Sequence, residues 1–360
     1  MARALSAIVA AIALLVLPVA ARQPARGTFA RTVASLSEAA GYFDTDNLIS
    51  NESSYLQVIP ELEKRGVRGG AYVGVGPDQN FTYIAVTRPS IAIIVDIRRD
   101  NLLLQLLFKT LFRESPTRVE YLSLLFGKQP PVDAAAWRDA GIDRIAGYID
   151  QAKRADAAAL WTRLERTIRS IGVPLSDADI QTIRRFHDNF VDAGLSLRFQ
   201  SAGRAPQLRY PTFRDLLLDT DGSGARSNFL GSEERYQFVR DLENHDLVIP
   251  VVGDLAGPTA VATIGHFLAS RGERVNTFYV SNVEFYLFRQ DAFPRFIANV
   301  RQLPHDSHSV IVRSIFSGLY ALGGARPGDD SVSQIQTIDD LLSGYAGGRI
   351  RMYADLIRAR

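Results

Sequence analysis

Short apolar runs, bounded by glycine and proline, alternate along this chain with longer segments of helical periodicity. The clearest case is residues 71–96, AYVGVGPDQNFTYIAVTRPSIAIIVD. Its two ends, residues 71–75 and 90–95, are apolar and rich in strand-forming residues, so both predict buried strands. The middle predicts a helix that begins near Pro77 and ends before Pro89. Proline suits the first turn of a helix and disfavours helical backbone in the residue before it.

Two glycines and an aspartate stand at the ends of these predicted strands. Gly74 and Gly76 follow the first strand, where a backbone without Cβ can turn sharply and let a ligand approach. Asp96 ends the second strand, twenty positions after Gly76. A carboxylate at that place in a strand–turn–helix–strand unit can accept both hydroxyls of a ribose. Gln79 stands where the dinucleotide-binding pattern has its third glycine, so a glycine turn in an ordinary α/β core is the alternative.

The same rhythm of strands and helices returns near the C-terminus. Residues 246–252, 275–280 and 309–316 predict strands, and residues 258–270 and 292–301 predict the helices between them. Strands that alternate with helices predict a mostly parallel, doubly wound sheet of the Rossmann-like α/β class.

The segment between the second and third strands has a different pattern. It predicts mainly helices, including one over residues 145–167, with short strands at residues 195–200 and 208–210. We interpret it as a helical insertion. The predicted organisation is a signal peptide at 1–21, an N-terminal helical lead-in at 22–70, a Rossmann-like domain at 71–115 and 246–317, a mainly helical insertion at 116–245 and C-terminal helices at 318–360.

The first 21 residues have the layout of a secretory signal. Arg3 precedes an apolar run, and the small residues at 19–21 are typical of a cleavage site. We therefore expect an exported protein, periplasmic or extracellular, with no stable membrane insertion after cleavage. An uncleaved membrane anchor is the alternative, since the run is close to the shortest that spans a bilayer.

Composition narrows the classes of function. The 41 basic and 39 acidic residues nearly balance, and no basic patch is interleaved with aromatic residues, so a nucleic-acid partner is not expected. The absence of cysteine excludes disulfides and thiolate metal sites. The five histidines form no HExxH motif, and the GxSxG and GxxxxGK[ST] motifs are also missing. We predict no metal site; a small molecule is the expected partner, and the oligomeric state is left open.

Polar residues follow two further predicted strands. Asp254 follows the third strand, and Ser281 and Asn282 follow the fourth. Ligands of parallel sheets bind at the carboxyl ends of the strands, so these residues are candidates for a binding site. The polar residues 50–52 predict either a cap for the next helix or a segment that folds over the glycine turn.

Taken together, these blocks resemble the class I S-adenosylmethionine-dependent methyltransferases over residues 71–113 and 246–316. The resemblance implies S-adenosylmethionine as the cofactor. It implies that Ser281 and Asn282 lie at the substrate end, with Glu284 as a candidate general base. The cofactor-binding residues that it implies are Gly74 and Gly76 at the turn, with Asp78 in the family's third glycine position, Asp96 for the ribose and Asp254 for adenine. The DNLISNE, GVGPDQNFTYIA, VVGDLAGP and FYVSNVE segments also resemble a group of exported, uncharacterised bacterial proteins.

The chain departs from that family at three places, of which Asp78 in the third glycine position is one. Tyr72 stands where the family usually has an acid, and the family's last antiparallel strand pair is not evident after Phe316, where residues 334–346 and 349–359 predict helices. Two other functions therefore stay open beside a methyltransferase. One is a non-catalytic binding protein on a degenerate methyltransferase fold, and the other is an enzyme that uses a different nucleotide cofactor.

Overall fold

The computed structural model describes residues 27–45, 47–201, 204, 207–316, 326 and 328–358. The predicted signal peptide, residues 1–21, lies outside them. Within the described residues, six strands form one sheet. They are β1 Ala71–Gly74, β2 Ile91–Asp96, β3 Val248–Val252, β4 Val275–Ser281, β5 Val310–Phe316 and β6 Ser331–Thr337.

The sheet is mostly parallel, with the strand order β3-β2-β1-β4-β5-β6. β1 to β5 pair in parallel, and only β6 is antiparallel to its neighbour, β5. β1, β2 and β3 are near-continuous apolar runs because parallel strands are covered on both faces. This confirms the predicted mixed α/β class with a mostly parallel sheet. The chain runs outward from β1 to β3 and then crosses back to β4, so the strand order reverses between β1 and β4.

Fifteen α-helices form within the described residues. α3 begins after Pro77 and ends where Arg88 takes a left-handed backbone conformation, with φ 49°. The helices are α1 Thr28–Leu36, α2 Ile59–Lys64, α3 Gln79–Thr87, α4 Arg99–Glu114, α5 Arg118–Leu125, α6 Ile142–Gln151, α7 Ala157–Ser170, α8 Asp177–Ala193, α9 Phe213–Leu218, α10 Glu233–Asn244, α11 Ala260–Ser270, α12 Val283–Arg289, α13 Phe293–Val300, α14 Ile338–Ala346 and α15 Tyr353–Arg358.

Helices α4 to α10 occupy the chain between β2 and β3. The single helix predicted over residues 145–167 is wrong, because the chain breaks after α6 and Asp156 starts α7 by accepting a hydrogen bond from the backbone of Ala159 (3.0 Å). The short strands predicted at residues 195–200 and 208–210 are also not formed. Only one isolated bridge, between Arg198 and Thr212, lies there.

The C-terminal part differs from the expectation of helices alone. Residues 334–337 belong to β6, which pairs with β5 along its whole length. The helix predicted over residues 334–346 is wrong at its start, because α14 begins only after Thr337, whose side chain accepts a hydrogen bond from the backbone of Asp340 (3.1 Å). An antiparallel strand is therefore present after Phe316. None of the described helices has the length and apolar character needed to cross a bilayer.

Candidate functional site

A segment near the N-terminus, residues 37–45 and 47–57, lies across the carboxyl ends of the strands; we call it the strap. The backbone N–H of Glu38 donates to Val252 of β3 (2.9 Å), and that of Gly41 donates to Ile97, just beyond β2 (2.8 Å). At the other edge, the hydroxyls of Ser54 and Ser331 are 2.7 Å apart. The strap thus reaches from β3 to β6. It therefore folds over the glycine turn, which is the second of the two predicted alternatives.

The helix after the strap is not capped by residues 50–52. The hydroxyl of Ser50 accepts a hydrogen bond from the backbone of Glu52 (3.0 Å), which closes a local turn. α2 begins only at Ile59, with Val58 before it and no side-chain cap. The capping interpretation is therefore wrong, and these polar residues face the sheet edge instead.

A pocket of about 160 Å³ lies between the strap and the carboxyl ends of β1 to β4; we call it the edge pocket. Its aromatic lining comes from Tyr42 and Phe43 of the strap, Phe199 and Tyr286. This volume is below the roughly 300–1,000 Å³ of typical small-molecule sites, so a cofactor-sized ligand requires movement of the lining. Of the predicted site residues, Gly76, Asp96, Asp254, Ser281 and Asn282 line this pocket. Asn51, Gln79 and Arg98 line it as well.

The two glycines of the turn have different surroundings. Gly76 has φ 86° and lines the pocket, where a Cβ would lie 3.4 Å from the Gln79 side chain. Gly74 does not line it, because a Cβ there would lie 2.1 Å from Oδ1 of Asn80 and 2.6 Å from the hydroxyl of Tyr72. Gly74 is therefore required by internal packing, and only Gly76 offers its backbone to a ligand.

Asn80 holds the turn in shape. Its Nδ2 donates to the carbonyl oxygens of Val75 (2.9 Å), Gly76 (3.2 Å) and Pro77 (2.7 Å). Its Oδ1 accepts a hydrogen bond from the hydroxyl of Tyr72 (2.8 Å). Tyr72 stands in place of the acid of the methyltransferase pattern. It therefore stabilises the turn indirectly, through its hydrogen bond to Asn80.

Asp96 faces the pocket from the end of β2, and its carboxylate is paired with Arg98. The guanidinium Nε and Nη2 lie 3.2 Å from Oδ1 and 3.2 Å from Oδ2, and the Arg98 backbone N–H donates to Oδ1 (2.9 Å). Arg98 also donates to the carbonyl of Thr45 in the strap (2.9 Å). Both side chains are largely buried. Sequence reasoning missed Arg98, although it lies only two positions after Asp96.

Asp254 lies at the end of β3 beside a carboxylate that the sequence did not indicate. Its Oδ1 accepts from the backbone of Ala256 (2.8 Å), and its backbone N–H donates to Glu38 (2.9 Å). Glu38 also accepts from Thr259 and Ala260, before and at the start of α11. Burial acts to raise the pKa of Glu38, but these hydrogen bonds outweigh it and hold that pKa below its usual range. Glu38 therefore fixes the loop that presents Asp254.

Asp78 lies outside the edge pocket. It borders a neighbouring small cavity of about 10 Å³ together with Ser50, Tyr55 and Asn228. Burial raises the pKa of Asp78 to about 7, although hydrogen bonds from its own backbone and that of Gln79 act in the opposite direction. The structure therefore does not bring Asp78 together with the other predicted cofactor-binding residues.

Ser281 is the last residue of β4, Asn282 follows it, and both line the pocket. Ser281 has a left-handed backbone conformation, with φ 52°, and its hydroxyl donates to Glu52 of the strap. The other carboxyl oxygen of Glu52 accepts from the hydroxyl of Tyr279 (2.6 Å). Glu52 is fully buried, and burial raises its pKa, against the effect of the hydrogen bonds from Ser281 and Tyr279. No local pattern could have linked Glu52 to β4, which lies more than two hundred residues away.

Glu284 lies away from the pocket. Its carboxylate is bound by Arg313 of β5 through two hydrogen bonds, Nε to Oε2 (2.6 Å) and Nη2 to Oε1 (3.2 Å). Each of these side chains is 1% exposed. A carboxylate held this way cannot reach a substrate in the edge pocket, so Glu284 is left out of the candidate site.

The pocket also holds polar side chains that make few hydrogen bonds with the described residues. The Oε1 atom of Gln79 is buried and accepts no hydrogen bond from the described residues, while its Nε2 donates to Tyr279 (3.1 Å). The side chain of Asn51 makes no hydrogen bond within the described part of the chain, and that of Asn282 makes only a 3.5 Å contact with Ser281. Buried polar atoms are normally satisfied, so Oε1 of Gln79 is available to a ligand. Asn51 and Asn282 are partly exposed and line the same pocket, so their amides are also accessible there. In the described ranges, no group of three His, Asp or Glu residues could hold a metal ion.

Comparison with known proteins gives a family and no curated relative. No curated protein matches the chain. The family described as Domain of unknown function (DUF7790) matches residues 47–170 and 210–340. These two blocks include the six strands of the sheet and the pocket residues that follow β1 to β4. Since the match covers more than half of the chain, the protein belongs to the DUF7790 family.

Proposed function

We propose that this protein binds a nucleoside-bearing cofactor in the edge pocket, and that the cofactor is S-adenosylmethionine, used for methyl transfer to an acceptor. In this proposal the sheet is Rossmann-like and doubly wound, and the helices between β2 and β3 are an insertion. A chain exported by its first 21 residues would meet the cofactor in the periplasm or outside the cell.

One observation carries the proposal: residues at or just after the carboxyl ends of four different strands line a single pocket. Gly76, Asp96, Asp254 and Asn282 come from the ends of β1, β2, β3 and β4. The pocket lies where the strand order reverses, which is the usual ligand site of open parallel sheets. The resemblance to methyltransferases then suggests which ligand occupies it.

The polar groups of the pocket suit such a cofactor, whereas the pocket's volume of about 160 Å³ is too small for it without movement. Asp96 would accept hydrogen bonds from ribose hydroxyls, and Asp254 would accept one from the adenine amino group. Gly76 would leave room for the chain that carries the sulfonium. Asp96 is already bound by Arg98, so the hydroxyls would share this carboxylate with the guanidinium, and Phe43 and the strap would have to open further.

When bound, the cofactor would supply an activated methyl group. The protein's own residues would then act mainly by positioning, since holding two reactants in the right geometry removes much of the barrier to a displacement. Asn51 and Asn282, whose amides have few internal partners, would orient the acceptor at the substrate end.

The test is a thermal-shift screen of the full chain with S-adenosylmethionine, S-adenosylhomocysteine, NAD and NADP. A ligand at 100 times its dissociation constant stabilises the folded state by about 2.7 kcal/mol. Stabilisation by the two S-adenosyl compounds, and not by the dinucleotides, is the expected result. Stabilisation by a dinucleotide alone would favour the other nucleotide-cofactor enzyme.

The pairing of Asp96 with Arg98 favours one further candidate. This alternative is a binding protein on a degenerate methyltransferase fold. In such a protein the Asp96 carboxylate would serve to hold Arg98 and would not bind a ribose. In that case none of the four compounds stabilises the chain, and mass spectrometry of small molecules that co-purify with it would identify a different occupant of the pocket.

A further inference from the structure

Ser281 stands at a sharp turn from β4 into the start of α12. Its φ of 52° lies in the left-handed region, which costs a residue with a side chain of order 1–3 kcal/mol. The pairing of β4 with β5 shifts by one residue between Tyr279 and Ser281. Such bulges re-aim side chains and are frequent beside active sites. The strain and the bulge together turn the Ser281 side chain to the pocket wall.

The partner of this hydroxyl is a carboxyl group and not a backbone atom. Ser281 donates to one oxygen of Glu52, while Tyr279 donates to the other at 2.6 Å and itself accepts from Gln79 at 3.1 Å. Glu52 is thus oriented by a second group, as the base of a nucleophilic pair requires. Of the three side chains in this hydroxyl–carboxyl–phenol chain, Ser281 lines the edge pocket, and Glu52 and Tyr279 are buried behind it.

We propose that Ser281 is a nucleophile and Glu52 its general base, so that the edge pocket can carry out acyl transfer on an ester or another activated acyl compound. The Ser281 proton passes to Glu52 as the Oγ–carbon bond forms. The bond to the leaving alcohol then breaks, and the alcohol takes the proton from Glu52. Water completes the cycle: its proton passes to Glu52 as its oxygen bonds to the acyl carbon, the bond from that carbon to Oγ of Ser281 breaks, Oγ takes the proton from Glu52, and the acid is released.

The pocket also supplies donors for the charge that develops on the carbonyl oxygen. The side-chain amides of Asn51 and Asn282 line it, and neither donates to another described residue. Amide donors of this kind stabilise the oxyanion of acyl transfer. A GxSxG search misses the site, because Tyr279 and Val283 stand where that motif has glycine.

Labelling with a fluorophosphonate probe tests this inference on the full chain, since the probe reacts with activated serine hydroxyls. Intact-mass and peptide measurements should find one adduct per chain, at Ser281. Ser281→Ala should abolish it, and Glu52→Gln should slow it at least about 100-fold, the lower range for general-base catalysis. Ser343→Ala, which removes an exposed hydroxyl on α14, should label like the wild type.

The pH dependence of labelling gives a second readout that needs no variant. The rate should rise with pH and then level off when Glu52 has lost its proton. Three buried tyrosines face Glu52, namely Tyr72, Tyr83 and Tyr279, and burial keeps the pKa of each well above its usual value, so they stay neutral. No adduct at Ser281, or a rate that rises in proportion to hydroxide without a plateau, would overturn the inference.

The inference does not depend on the cofactor proposed above. If S-adenosylhomocysteine protects Ser281 from the probe, both ligands use the edge pocket. If Ser281 is labelled without any such protection, the nucleophile stands and the proposed cofactor is removed from this pocket.

Discussion

Arg98 and Asp96 form a bidentate ion pair, with 3.2 Å between Nε and Oδ1 and 3.2 Å between Nη2 and Oδ2. The same guanidinium donates to Thr45 of the strap (2.9 Å). A single side chain therefore links the acid at the end of β2 to the segment that covers the pocket. Any ligand that takes Asp96 must share it with Arg98 or move Arg98, and with it the strap.

The first prediction concerns this pair. Asp96→Asn should lower the free energy of unfolding by about 3 kcal/mol, because it leaves the buried guanidinium without its charge partner. Arg98→Gln should cost a similar amount, and the double variant should cost clearly less than the sum. Urea denaturation measures all three. Losses that add within about 0.5 kcal/mol would show that the two side chains act independently.

Glu284→Gln should also destabilise the protein by about 3–5 kcal/mol, because Arg313 would be left as an unpaired charge in the interior. This pair lies outside the edge pocket, so the variant should keep the wild-type affinity for any pocket ligand. Denaturation and ligand titration at a temperature where the variant is folded measure the two effects. A loss of affinity with unchanged stability would return Glu284 to the functional site.

The third prediction is a pH dependence set by Asp78. Burial raises its pKa from 3.8 to about 7, so the folded state binds this proton more tightly than the unfolded state. The resulting stability is fully present below about pH 4 and is lost as the pH rises to about 7. The full shift is worth about 4 kcal/mol, and partial exposure reduces this to on the order of 2 kcal/mol.

Asp78→Asn is the matched variant, because an amide of the same shape does not ionise. Its free energy of unfolding should fall less than that of the wild type between about pH 4 and pH 7. Urea denaturation across this range is the measurement. Identical pH profiles for the two proteins would mean that Asp78 ionises in the folded state as it does in water.

Local pattern was enough to predict the strand–turn–helix–strand unit around Gly76. The apolar runs at β1 and β2, and the prolines around α3, each act over a few residues, so they can be read without the fold. The same holds for the polar residues after β3 and β4, because parallel strands must deliver their carboxyl ends to one edge. Gly76, Asp96, Asp254 and Asn282 were predicted in this way and lie in one pocket.

What the sequence could not indicate depends on contacts between distant parts of the chain. Glu52 gains its role from Tyr279 and Ser281, and Glu38 gains its role from the loop after β3. The ion pair that removes Glu284 from the candidate bases could not be predicted, because the pairing of β4 with β5, which brings Arg313 beside it, has no local signature. β6 was missed because its polar and apolar residues alternate only briefly before the strong helix start at Thr337.

The most direct test of ligand binding at the glycine turn is calorimetric titration of three proteins with S-adenosylhomocysteine. In Gly76→Ala, a Cβ at φ 86° would enter the edge pocket near Gln79. Gly272→Ala is the control, since Gly272 has φ 72° and open space around its Cβ position. Both variants should lose roughly 1–2 kcal/mol of stability from the left-handed backbone. The wild type and Gly272→Ala should bind the ligand, and Gly76→Ala should bind it at least about tenfold more weakly. The proposed site would be contradicted if the wild type gave no heat at millimolar ligand, or if all three proteins bound with equal affinity.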